Sequence, residues 1–277
     1  MQHPDELHTD RQESKLISRK VGLRVLFVIT IIVAVVDFLL PRIPQPQSYH
    51  MFADQRSFLG VPNFGDVVSN VPFAVVGLWG LIFLLRSDPE QLSKHFLDRR
   101  ERWFYLIIFT GLLLTAFGSS YYHLNPNNAR LVWDRLPMTI VFMSLVAALI
   151  AERISLRAGL WLLPILLLIG VGSVLQWYIS ELRGVGDLRF YATVQAYSVL
   201  FLLMALLFPP RYTFGSDLAV VAGFYILAKV LETLDKPIFR LGYVVSGHTL
   251  KHLAAAFAGY WILRMIKRRR PIPSSAV

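Results

Sequence analysis

Polar and apolar residues along the chain do not alternate as in a water-soluble domain. Stretches of about 20 residues with few charges recur instead, the length that crosses a hydrocarbon core of about 30 Å as a helix. Eight are legible, near 22–40, 66–85, 103–123, 132–151, 158–178, 188–208, 216–235 and 247–266. Between them lie ordinary helix stops: Pro41, Pro44 and Pro46, then Ser87-Asp88-Pro89, Asn125-Pro126-Asn127-Asn128, and Pro209-Pro210. Gly184 and Gly186 mark another loop. The pattern predicts an all-α polytopic membrane protein with a seven-helix core preceded by one further membrane helix. Its expected parts are an N-terminal arm at 1–21, the added helix at 22–40, a loop at 41–65, the core at 66–266 and a basic tail at 267–277. No small-x-small cleavage pattern follows the first apolar run, so a retained helix is expected there rather than a signal peptide.

Composition agrees, with 55% hydrophobic residues and a mean hydropathy of +0.51. The 28 Lys and Arg against 18 Asp and Glu give a net charge of +10. They gather in the N-terminal arm, the 86–102 loop and the C-terminal end, whereas the 41–65 loop has only Arg42 and Arg56. That asymmetry predicts both termini on the cytoplasmic side and accounts for the basic charge by topology and anionic headgroups. No nucleic-acid partner is expected. The chain has no cysteine, so a metal would have to sit on His, Asp or Glu.

With that orientation, distant polar residues reach one depth, in the non-cytoplasmic half. His123 ends the third span, Asp134 opens the fourth, His248 and His252 open the eighth, and Asp66, Ser69 and Asn70 open the second. Ionisable groups within spans usually face a bundle interior or cavity. His248 and His252 are spaced i, i+4 and project from one helix face, a spacing that suits two ligands of one ion. His123 can add a third nitrogen, and three His with an open fourth position are the pattern of a catalytic zinc. A lone HxxxH can equally be hydrogen-bonded structure. Ser119, one turn before His123, is placed to donate to a developing oxyanion or simply to bond its own backbone. Asp134 is placed to move protons, or to satisfy the start of its helix. Lys229, Glu232 and Asp235 form a stripe in the seventh span, read as a Lys229–Glu232 ion pair, with Asp235 a candidate partner for a zinc-binding histidine.

The run Gly118-Ser119-Ser120-Tyr121-Tyr122-His123, the following Trp133-Asp134-Arg135-Leu136-Pro137-Met138 and the closing His248-Thr249-Leu250-Lys251-His252 together resemble the alkaline ceramidases. Phe64 to Asn70 resembles that family's entry into its first core helix. The likeness covers roughly residues 50–266 and extends to the wider superfamily that includes adiponectin-receptor-type proteins; the Ser, His and Asp intervals favour the ceramidase branch. It implies a zinc hydrolase that cuts the N-acyl amide of ceramide-like lipids. Zinc would rest on His123, His248 and His252, with Ser119 and Asp134 assisting. A calcium site is also implied, for which Asp54, Asn63 and Asp66 are the corresponding residues. Arg135 stands where the family has Glu, and Lys251 where an aromatic is usual, departures that bear on the substrate more than on the metal. A lipid-binding receptor on the same scaffold is the competing expectation. A transporter fits less well, because there are no repeated halves and the polar cluster sits at one bilayer edge. A bacterial inner membrane suits the cysteine-free chain and its basic face.

Overall fold

The computed structural model describes residues 18–273 and is all-α, a polytopic membrane protein; among the described residues only two isolated bridges, Phe58–Val61 and Tyr212–Pro271, depart from helix and loop. Helix α1 spans Arg19–Leu39, α2 Phe64–Val68, α3 Val71–Arg86 and α4 Pro89–Ser93. The long helices α5 (Arg102–Leu124), α6 (Asn128–Arg153) and α7 (Leu156–Leu182) follow, then α8 (Arg189–Ala205), α9 (Asp217–Thr233), α10 (Asp235–Arg240) and α11 (Gly247–Arg268). Five segments are long and apolar enough to cross a membrane: α1, α2 with α3, α5 with its lead-in turn, α6 and α7. Helices α8 and α9 are shorter than the expected spans, at 17 residues each. Helix α9 stops at Thr233 because Pro237 has no N–H to offer the Thr233 carbonyl.

Helices α5 and α6 form the centre, and Phe104, Phe109, Ala147 and Leu149 pack in the main cluster there. Helix α1 stands outside it with Phe27, Phe38 and Leu39 exposed, the signature of a lipid-facing helix. Its polar groups are satisfied on one flank: Thr30 Oγ1 lies 2.6 Å from the Tyr197 hydroxyl, and Thr193 donates to Asp37 at 2.5 Å. Helix starts follow from capping chemistry. Asn127 accepts from Arg130 N–H, Ser155 from Ala158 N–H and Ser246 from Thr249 N–H, each satisfying a backbone donor that the helix leaves free. At the end of the bundle away from His123, Arg269 pairs with buried Glu152, Tyr105 also donates to that carboxylate, and Arg269 Nε donates to the His95 carbonyl at 2.9 Å. This ties the chain after α11 to α5 and α6.

One close approach sets the site. A Cβ on Gly118 of α5 would lie 2.0 Å from the Trp133 carbonyl oxygen of α6. That carbonyl has no i+4 donor within its helix, because residue 137 is proline. Glycine at 118 therefore lets α6 sit directly against the turn that carries Ser119 and His123. Gly118→Ala is expected to force the helices apart and lower stability by about 1–3 kcal/mol, as overpacking does. Thermal unfolding in detergent checks this; an unchanged midpoint would contradict the packing argument.

A candidate metal centre

His123 ends α5, and His248 and His252 lie one turn apart at the start of α11. Their rings form a nearly equilateral triangle, with centroids 4.8 Å (123–248), 5.0 Å (123–252) and 4.9 Å (248–252) apart. All three are buried, and one nitrogen from each lies within 4.8 Å of the others, an arrangement that could hold one metal ion. The donors fit such an ion chemically. His123 Nδ1 and His248 Nε2 are buried without a hydrogen-bond partner, a state that is unfavourable for a polar atom unless something binds it. His252 Nδ1 lies 2.7 Å from Ser69 Oγ, which itself donates to the Asp66 carbonyl at 3.1 Å. Ser69 therefore accepts from Nδ1–H, leaving Nε2 with the lone pair a metal needs. Three neutral imidazoles suit zinc and also copper, iron or nickel.

The surroundings hold the triangle in place. Phe52 from the loop after α1 covers it, its ring centroid 4.6 Å from His123 and 4.4 Å from His248. Asn63 donates to the His123 carbonyl at 2.8 Å. Asp66, fully buried, accepts at Oδ1 from Thr249 at 2.8 Å and Ser246 at 3.2 Å, docking α11 onto α2. A Cβ on Gly247 would meet the Leu231 carbonyl at 2.3 Å, so glycine there lets α11 start against the end of α9.

Asp134 and Ser119 are both buried and face each other across the α5–α6 contact, with the Ser119 hydroxyl not closed into a formed hydrogen bond. Lys251, between the two histidines on α11, reaches Glu232 at 2.6 Å, and Lys229 reaches the other oxygen of Glu232 at 2.7 Å. The expected Lys229–Glu232 pair is thus present, extended by Lys251. Tyr49 donates to Glu232 at 3.3 Å. Nearby, His50 is held between the Tyr122 hydroxyl and Asn128 Oδ1, both at 2.8 Å, and burial pushes its pKa down.

Two expectations concern groups around the triangle. Asp235 is a partner of His248, through the backbone: its Oδ1 accepts from the backbone N–H of His248 at 2.8 Å and its Oδ2 from Ala53 N–H at 2.9 Å. It opens α10 rather than ending α9, and so aims at the free N–H groups at the start of α11. The ring partner is Ser69, which the sequence placed at the right depth without saying which ring it meets. The second concerns calcium. Both oxygens of Asp54 are taken by Arg56, at 2.8 and 2.7 Å, and that guanidinium holds the carboxyl below the usual range. Asn63 and Asp66 are committed to His123 and α11, although Asp66 keeps Oδ2 without a partner. Calcium needs six to eight oxygens, and these three residues do not fit such a cage. Neither Asn63 nor Asp66 caps its own helix by a side-chain hydrogen bond.

Ser69→Ala is expected to weaken metal affinity about 10–100-fold, the usual effect of removing a histidine's orienting partner. Competition with a chromogenic chelator measures it; unchanged affinity would remove Ser69 from the site.

No protein-family model matches this chain, and no curated protein matches it.

Proposed function

We propose that the protein is an intramembrane hydrolase with zinc as its metal, cleaving the N-acyl amide of ceramide-like lipids to a fatty acid and a long-chain amine. The observation that carries this reading is the buried histidine triangle with Asp134 and Ser119 beside it. His123, His248 and His252 would hold the ion. When bound, it supplies Lewis-acid polarisation of the amide carbonyl and a nucleophilic water at neutral pH.

The remaining work falls to the chain. Asp134 takes a proton from the attacking water and delivers it to the amide nitrogen as the C–N bond breaks, since an amine leaves poorly unless protonated. Ser119 donates its free hydroxyl to the oxygen on which charge develops. Phe52 excludes bulk water from one side of the histidines. A groove of about 390 Å³ between α8 and α9, lined by Val199, Tyr225, Ile226, Lys229 and Val230 among others, suits an acyl chain. Its one charged group, Lys229, joins through Glu232 to Lys251 beside the histidines. The inside-positive distribution of Lys and Arg supports cytoplasmic termini and a site in the outer half, in a membrane such as the bacterial inner membrane.

The test is metal content together with fatty-acid release from a panel of N-acyl lipids. Zinc at about one ion per chain with release of fatty acid is the expected result. Bound zinc without turnover of any lipid would favour a receptor on this scaffold, and absence of metal would end the reading.

A further inference from the structure

Arg135 is buried, with 4% of its surface exposed, yet among the described residues it forms no ion pair. Its guanidinium lies 4.1 Å from the Trp177 ring, 4.5 Å from Tyr191 and 5.6 Å from Tyr49. Among the described residues its hydrogen-bond acceptor is a neutral amide, Gln45 Oε1 at 2.6 Å, and its Nη1 is buried without a partner. The Trp177 ring stacked on it carries a second buried donor, Nε1, also without a partner. No carboxylate among the described residues makes contact with it. Glu181 accepts from the Gln45 backbone N–H, Glu232 is shared by Lys229 and Lys251, and neighbouring Asp134 acts on Arg135 through space without an ion-pair contact to it. A buried cation that lacks an anion is strongly unfavourable. Stacked aromatic rings offset part of that but leave the two N–H groups unserved.

A chain of contacts links the cage to the same site. Tyr49, over which Arg135 lies, donates to Glu232, and Glu232 holds Lys251 between His248 and His252. Arg135 also follows Asp134 directly on α6.

We propose, resting on the hydrolase reading but replacing its long-chain amine by an amino acid, that Arg135 binds an anionic group on the amine side of the substrate, so that the preferred N-acyl lipid is an N-acyl amino acid rather than a neutral ceramide. The acyl side offers only hydrocarbon, so the charge must lie beyond the amide nitrogen. In an N-acyl amino acid the carboxyl carbon is two bonds beyond that nitrogen. If Asp134 serves the nitrogen, the next residue on the helix is the one within reach of the carboxylate. A guanidinium presents a fork of N–H donors that matches a carboxylate, and Trp177 Nε1 adds another donor.

The test compares N-oleoylglycine with N-oleoylethanolamine, near-isosteres that differ in a carboxylate against a hydroxymethyl group. Binding to the full-length protein in detergent is measured by calorimetry, and oleate release separately. In wild type the carboxylate lipid is expected to bind about 10–100-fold more tightly, the worth of a hydrogen-bonded charge. Gln45→Glu supplies an internal carboxylate next to Arg135 and is expected to abolish that preference while the protein stays folded. Arg135→Gln should abolish it also, and Arg135→Lys should keep part of it. Equal binding of the two lipids by wild type, or a preference that survives Gln45→Glu, would show Arg135 to be only a clamp between the 45–49 segment and α7 and α8. Tighter binding of N-oleoyl phosphoethanolamine than of N-oleoylglycine would overturn the carboxylate assignment. Arg135-dependent binding without oleate release would sustain this inference and sink the hydrolase reading. Release from both lipids at equal rates by wild type and Gln45→Glu would do the reverse.

Discussion

His123→Ala is expected to bring bound metal from about one ion per chain to near zero and to abolish fatty-acid release. The residue ends α5, while the other two imidazoles come from α11. Without it, two nitrogens on one helix face remain, and a catalytic zinc site needs three protein ligands. Loss of the ion removes several kcal/mol of transition-state stabilisation, or about 10³ in rate or more. The fold should survive, because the Phe52–Tyr122 contact and the Asn63 bond to the residue 123 carbonyl do not involve the imidazole. Elemental analysis of the purified variant, with a thermal melt as the folding control, separates loss of metal from loss of structure. A variant that keeps its metal would show that the triangle is not the binding site.

Asp134→Asn is the complementary case. The amide is nearly isosteric with the carboxylate but cannot carry a proton between the water and the leaving nitrogen. Proton transfer by a positioned side chain contributes about 10²–10⁴ in rate, so release should fall by that factor while metal content stays at the wild-type level. The two variants therefore part on one measurement, metal retained or lost, and agree on the other. An Asp134→Asn protein with full activity would assign the proton to a different group. Lys251 is one alternative, although Glu232 already holds its ammonium at 2.6 Å.

Much of this was readable from the chain. Uncharged runs of bilayer length marked the helices, and prolines and capping residues marked their ends. The i, i+4 spacing of His248 and His252 put both rings on one face, since helical periodicity is local. His123, Ser119 and Asp134 could be assigned to one depth by counting spans. A sequence does not show that Arg56, two residues from Asp54, folds back onto both oxygens of this residue named for calcium. Asp235 meets His248 as its position suggested, but the break after Thr233 turns its carboxylate onto backbone N–H groups, which no local pattern shows.

What the sequence by itself determined, then, is a set of apolar helices, their ends, and which side chains share a helix face. These follow from backbone geometry within one turn and from the cost of polar groups in lipid. The tertiary structure alone decided which atoms meet. Bare backbone at Gly118 lets α6 bring Asp134 to Ser119, and Ser69 rather than an acid orients His252. Arg135 ends among three rings from the 45–49 segment, α7 and α8. Such contacts join residues far apart in sequence at distances of a few ångströms, and helix packing sets them through side-chain shape, which no local pattern encodes.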